Sequence, residues 1–243
     1  MTGESTLNSR RLEIGLRQAL RVREEHLTQE ANSCRILYVS DIHLRRRRSR
    51  DLIDQVIAAA QHTAPHAVLL GGDLVDQASE LPGLSELVDR LCRITPVCAV
   101  GGNHDSHIGL HLVRDAVQSG GGKWIHADTE TFAHDGRIIT ISGPEAPTAF
   151  LTSVHVRILC AHNPRIWRTA RKSGYDLVLA GHLHGCQLVA FEFRDKLYPG
   201  AIFYPYCYLT HQSGSTTLVV SRGVSDLIPV RWRCPREVVL CHI

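Results

Sequence analysis

This 243-residue chain is poor in lysine, methionine and aromatic residues. Three of its 27 basic residues are lysines (Lys123, Lys172 and Lys196), there is one methionine, and Phe, Trp and Tyr make up 6%. The arginine bias is either a coding preference or a supply of bidentate phosphate ligands. No apolar run approaches the roughly 18 residues that a membrane-spanning helix requires. The opening residues lack a charged-then-apolar pattern, so no secretory leader is expected. A net charge of +3 is too small to demand a nucleic-acid partner, and none is expected. None of the eight cysteines forms a C-x-x-C pair. Several, such as Cys98 and Cys160, sit in apolar runs as small hydrophobes, and reduced thiols in a cytoplasmic setting are expected. With 44% hydrophobic and 21% charged residues, the composition excludes a disordered chain and a coiled coil.

Histidine is abundant instead, with 15 copies. Because imidazole is both the commonest metal ligand and the usual acid–base group near neutral pH, its distribution matters. Residues 1–33 read as a polar tail and an amphipathic helix over about 10–30, with Leu12, Leu16, Ala19, Leu20 and Leu27 on one face. Five Arg and five Glu leave residues 1–31 neutral, which favours docking onto the domain or a partner over a basic membrane-surface helix. Residues 34–243 read as one domain. Strand-like runs at 35–40, 67–70 and 97–100 alternate with helical patterns at 51–62, 80–93 and 106–119, which implies parallel pairing. The second half is richer in short β-like runs (123–127, 129–134, 137–142, 156–160, 176–180, 187–193, 217–221 and 226–232), with one helix near 164–173, and suggests a second sheet packed on the first.

Polar clusters follow five of these strands. Asp41 and His43 follow the first, Asp73 and Asp76 the second, Asn103, His104 and Asp105 the third, His162 a later one, and His182 and His184 another. Ligands in α/β proteins gather at the carboxyl ends of strands, so the clusters should meet. Oxygen and imidazole donors suit divalent first-row metals. Asp41, His43, Asp73, Asn103, His162, His182 and His184 are enough for two ions sharing one carboxylate, a clamp for in-line displacement at phosphorus.

The ordered set D-x-H, G-D-x-x-D, G-N-H-D, a strand-terminal His and G-H-x-H resembles the calcineurin-like metallophosphoesterase superfamily over residues 36 to about 187. Residues 159–164, 181–187, 221–223, 228–231 and 234–237 extend the likeness to its bacterial YaeI/YkuE-type phosphodiesterase branch. The resemblance implies an α/β fold, with two mixed β-sheets packed as a sandwich flanked by helices. It also implies one ion on Asp41, His43, Asp73 and His184, and a second on Asp73, Asn103, His162 and His182. His104 would be the general acid, oriented by Asp105, and a metal-activated hydroxide the nucleophile. The expected ions are Mn, with Fe, Zn, Co and Ni as alternatives. In place of the second glycine usual after the last histidine stands Cys186, either an added ligand and oxidation-sensitive point or a tolerated small residue.

Arg45, Arg46 and Arg47, in a run that continues to Arg48, follow the first ligand pair. They either bind a second phosphate or an anionic headgroup, or form a solvated face. His107 and His111 read as surface residues and Tyr204, Tyr206 and Tyr208 as packing residues. The expected activity is hydrolysis of a phosphodiester or pyrophosphate in a small-molecule or lipid-linked ester. Related proteins that act on UDP-2,3-diacylglucosamine, in lipid A biosynthesis, suggest a lipid-linked nucleotide and peripheral contact with the inner membrane face. The alternatives are a nucleotide or cyclic-nucleotide phosphodiesterase and a catalytically silent interaction scaffold, although retention of every ligand and of His104 disfavours silence.

Overall fold

The computed structural model describes residues 12–14, 19–28, 30, 32–46, 48–147, 154–226 and 228–243. In chain order the elements are β1 (Leu12–Ile14), β2 (Arg21–His26), β3 (Arg35–Val39), α1 (Ser49–Thr63), β4 (Ala67–Gly71), α2 (Leu81–Cys92), β5 (Val97–Val100), α3 (Asn103–Ile108), α4 (Leu110–Ser119), β6 (Lys123–Trp124), β7 (Thr129–His134), β8 (Arg137–Ser142), β9 (Val156–Cys160), α5 (Trp167–Ala170), β10 (Leu177–Ala180), β11 (Val189–Phe193), β12 (Lys196–Pro199), α6 (Gly200–Phe203), β13 (Thr210–Ser213), β14 (Thr216–Val220), β15 (Val230–Trp232) and β16 (Glu237–His242).

Two six-stranded mixed sheets carry the architecture, in the orders β2-β16-β3-β4-β5-β6 and β13-β14-β10-β9-β8-β7. β3 to β6 run parallel, as do β8, β9, β10 and β14. Their apolar sequences follow from burial on both faces. Ile36, Tyr38, Leu69 and Val100 of the first sheet meet Ile139, Ile158, Leu179 and Val219 of the second in the layer between them. The outer face of the first sheet packs on α1, α2 and α4 through Val39, Val68, Leu52, Leu87 and Val113. α1 stops where Ala64 turns left-handed (φ 43°) and Pro65 cannot continue it. The sandwich flanked by helices is therefore the fold of the chain.

The N-terminal helix expected over 10–30 is corrected. Where that segment is described it forms two strands, and residues 1–11 and 15–18 lie outside the described residues. Leu12 and Ile14 are exposed, whereas the polar Glu13 between them is buried against Arg236. β2 pairs parallel with β16 and sends Arg23 inward to Glu237, at 3.0 Å, and to the Val220 carbonyl, at 2.9 Å. A buried carboxylate that needs a guanidinium outweighs a helical pattern of leucines. β2 is thus the edge strand of the first sheet, while β1 pairs antiparallel with β15 in a two-stranded sheet of its own. The single helix expected over 106–119 is two, broken at Gly109 (φ 114°), and begins earlier, at Asn103.

Candidate active site

The polar clusters converge at the carboxyl ends of β3, β4, β5, β9 and β10. Asp41, His43, Asp73, His182 and His184 all have positive φ, between 48° and 74°. Non-glycine residues held this way store strain that the surrounding fold must offset. Two glycines make the close approach: a Cβ on Gly102 would lie 2.2 Å from Asp73 Oδ1, and one on Gly181 would lie 2.4 Å from Asp41 Oδ2.

The expected ligands fall into two groups. In one, His184 Nε2 lies 3.2 Å from His43 Nε2 and 3.6 Å from Asp41 Oδ1. In the other, His162 Nε2 lies 3.1 Å from Asp73 Oδ2, 3.0 Å from Asn103 Oδ1 and 3.1 Å from His182 Nδ1. Asp73 Oδ2 is also 3.8 Å from His43 Nε2 and so stands between the groups.

Outer hydrogen bonds set the tautomers. His162 Nδ1 donates to the Gly71 carbonyl at 3.1 Å, His184 Nδ1 to the Ser225 carbonyl at 3.1 Å, and His43 Nδ1 to Asp76 Oδ1 at 2.6 Å. A carbonyl or carboxylate only accepts, so each of these rings turns its Nε2 lone pair inward. His43 and His184 then face each other lone pair to lone pair, and His162 faces the Asn103 oxygen in the same way. Such opposed acceptors are reconciled by positive charge placed among them. The donor set fits divalent cations.

The electrostatics agree. Burial alone would lower the His162 pKa, but its hydrogen bond to Asp73 and the Asp41 charge raise it to about 9. A proton and a cation compete for that lone pair. At His184 burial prevails over Asp41 and brings the ring down to about 4, a neutral imidazole. Burial would raise Asp41 and Asp73, yet the surrounding histidines hold both below the ordinary carboxylate range.

His104 is half-buried at the rim, with Nδ1 3.0 Å from Asp76 Oδ1 and its ring edge-on to His43 at 4.6 Å between centroids. Asp105 does not face it. Its Oδ1 accepts from the backbone N–H groups of Leu74 and Val75, at 2.9 and 3.1 Å, and its Oδ2 from that of Gly102, at 2.8 Å. Asp105 therefore ties the β4 loop to the start of α3, and Asp76 is the carboxylate beside His104. The G-D-x-x-D spacing contained Asp76, but nothing in the sequence tied it to His104. Ser225 contributes a carbonyl, for which no side-chain signature exists.

Arg45 is half-buried, donating to the Asp226 carbonyl at 2.5 Å with its Nε 3.7 Å from Asp76 Oδ2. Arg46 is exposed, and Arg47 lies outside the described residues. Cys186 Sγ sits 3.2 Å from Cys207 Sγ, with both thiols free. His107 and His111 are exposed. Tyr206 and Tyr208 pack beneath the second sheet, whereas Tyr204 is 48% exposed and lines the site. The mouth is a cleft of about 380 Å³ bounded by Asn103, His104, His182, Tyr204 and Ile228.

Behind it lies a buried ionic frame. Arg231 donates to Asp226 Oδ1 at 2.5 Å and to the Ser225 carbonyl at 2.6 Å, and Arg222 pairs with Glu237. Gln187 donates to the Ile228 carbonyl at 2.6 Å and accepts from its N–H at 3.0 Å. These contacts hold the loop whose carbonyl orients His184.

Comparison with known proteins supplies the family. Residues 34–186 match the calcineurin-like phosphoesterase family. The chain is 28% identical to phosphodiesterase YaeI of Escherichia coli, over 95% of this chain and 90% of that protein. It is 30% identical to the uncharacterized YpbG of Bacillus subtilis, over 63% of this chain and 62% of that one. Among solved structures, a dimetal phosphatase from Danio rerio superposes with a TM-score of 0.51 at 11% identity, over 82% of this chain and 90% of that one. Thermus thermophilus TT1561 gives 0.52 at 13%, over 80% and 91%. These structural likenesses concern the fold. With the family matched over more than half its length, this chain belongs to the calcineurin-like phosphoesterases, metal-dependent hydrolases of phosphoric esters.

Proposed function

We propose that the protein hydrolyses a phosphodiester or pyrophosphate bond with two divalent cations, Mn in the first instance. Asp41, His43, Asp73 and His184 hold one, and Asp73, Asn103, His162 and His182 the other. The observation that carries this reading is the pair of inward-facing acceptor clusters sharing Asp73. When bound, such ions make phosphorus more electrophilic and water more acidic.

The chain's own residues supply the rest. Ester oxygens enter the cleft beside Asn103 and His104. Asp76 accepts the His104 Nδ1 proton and fixes the ring, so the deliverable proton stands on Nε2 and goes to the leaving oxygen. The guanidinium of Arg45, with Arg46 and Arg47 next to it in sequence, favours a second anionic group at the rim.

A lipid-linked ester, such as a lipid-linked nucleotide, is favoured by the apolar surface beside the mouth. Ile202 and Phe203 are 69% and 75% exposed, and Tyr204 and Ile228 join them to the cleft. Exposed apolar patches of this kind mark interaction sites. Among the described residues no helix is long and apolar enough to cross a membrane. Contact with the inner membrane face through this apolar surface would be peripheral.

The test compares bis-p-nitrophenyl phosphate with p-nitrophenyl phosphate after metal removal and Mn reloading, in wild type and Asp73→Asn. Diester turnover that requires Mn and collapses in the variant is expected. Stoichiometric metal binding without turnover of any diester, lipid-linked nucleotides included, would leave the scaffold reading. Faster turnover of nucleotide diesters than of lipid-linked ones would favour the nucleotide phosphodiesterase.

A further inference from the structure

A second metal-type cluster lies at the opposite end of the first sheet. β16 runs antiparallel to β3, so its carboxyl end stands beside Arg35, where β3 begins, while the active site lies where β3 ends. There β16 pairs in parallel with β2, which places His242 level with His26. Glu24 and His26 are two residues apart on β2 and share one face.

The three side chains converge. His242 Nε2 lies 3.2 Å from Glu24 Oε2, and His26 Nε2 lies 3.5 Å from the same oxygen. The two rings stack at 4.2 Å between centroids, 15° from parallel, so their in-plane lone pairs run side by side and the exposed His26 ring has to turn to bring its Nε2 onto a shared ion. All three candidate ligand atoms lie within 4.8 Å of one another. Tetrahedral zinc with bonds of about 2.0–2.2 Å separates its nitrogen and oxygen ligands by about 3.3 Å, close to the spacing from Glu24 to each ring. On the far side of His242, Nδ1 lies 3.4 Å from Ser33 Oγ. Without an ion, Nε2 donates to the Glu24 carboxylate; an ion taking that proton's place leaves the ring proton on Nδ1, where the Ser33 hydroxyl can accept it, the outer support typical of metal-bound histidine.

A neighbouring trio fails the same test. Cys34, His66 and His134 also cluster, but His66 Nδ1 accepts from the Arg35 N–H at 2.9 Å. That bond puts the proton on Nε2, and neither nitrogen can bind a metal without breaking it.

We infer that Glu24, His26 and His242 form a third cation site, separate from the dinuclear centre, for a zinc-class ion. The ligand set, two imidazoles and a carboxylate, is that of a borderline divalent metal, and it leaves a fourth position to water or to a donor from outside. Glu24 and His26 are more than half exposed, so the site is reachable from solvent. A bound ion would join β2, at the edge of the sheet, to β16 within it. Since binding favours the state that binds, it would hold that edge in place.

The test is equilibrium dialysis of the full chain against buffered zinc at neutral pH, with bound metal counted per chain by mass spectrometry. Wild type, His26→Gln and Glu24→Gln run together. Both replaced side chains are exposed, and Mn-supported diester turnover should be unchanged in both. Each variant is expected to bind one zinc fewer than wild type. Zinc should also slow amide exchange over residues 21–26 in wild type and not in His26→Gln. Equal zinc content in wild type and both variants would overturn the inference, whatever the state of the catalytic centre.

Discussion

One carboxylate oxygen serves two imidazoles: Asp76 Oδ1 lies 2.6 Å from Nδ1 of His43 and 3.0 Å from Nδ1 of His104. It therefore supports a proposed metal ligand and the proposed acid at once. Asp76→Asn should weaken both, since an amide can accept from one ring but supplies no charge. Loss of such outer partners costs about 10–100-fold in metal affinity or activity. Metal titration and kcat/KM on a diester would both fall. Unchanged metal affinity with reduced kcat would restrict Asp76 to orienting His104.

His104 should matter in proportion to how badly the leaving group needs a proton. A nitrophenolate leaves well unprotonated, whereas an alkoxide does not. His104→Ala should therefore reduce alkyl-diester hydrolysis by about 10²–10⁴-fold, the usual range for a positioned general acid, and nitrophenyl hydrolysis by much less. A rate series over leaving groups checks this. Equal losses across the series would mean that His104 binds substrate and transfers no proton.

The proposed ligands were legible in the sequence because each follows an apolar run, and strand ends in a parallel sheet converge whatever lies between them. For Asp105 the resemblance implies a partner of His104, and a neighbouring place in the sequence does not decide which way its carboxylate points. At the first turn of α3 its oxygens instead meet the backbone N–H groups of the β4 loop. The N-terminal strands were hidden for a different reason. Leu12, Leu16, Ala19, Leu20 and Leu27 recur at helical spacing, and it is Arg236 and Glu237, the buried partners of Glu13 and Arg23, that decide against a helix. Those partners lie more than 200 residues away, a separation of 214 for Arg23 and Glu237. Local periodicity carries no trace of such a pair.

Gly181 offers a test of the backbone's part in the site. An added Cβ would meet Asp41 Oδ2 at 2.4 Å and Ser40 Oγ at 2.5 Å. Ser40 Oγ donates to that same Asp41 oxygen at 2.7 Å, so neither side can move without disturbing the carboxylate. Gly181→Ala should cost about 1–3 kcal/mol of stability, the usual overpacking penalty. Bound metal should fall with it. Thermal melts with and without Mn would show a smaller metal-induced rise in Tm than in wild type.

Glu237 governs the acid limit of the fold. It is fully buried, and Arg222 Nε and Arg23 Nε donate to its two oxygens at 2.8 and 3.0 Å. Burial alone would raise its pKa, but the two guanidiniums outweigh burial and hold it below the ordinary value of 4.5. The folded chain thus binds this proton less readily than the unfolded chain. The stabilisation is present above the unfolded pKa and is lost as pH falls through the folded one. Glu237→Gln leaves two buried cations uncompensated and should cost about 3–5 kcal/mol at neutral pH. The penalty should shrink as the wild type is acidified below about pH 4, where it begins to surrender the same interaction. Urea melts of both proteins between neutral and acid pH would measure it. Two stability curves that stay parallel down to the acid transition would show that Glu237 holds its charge no better folded than unfolded.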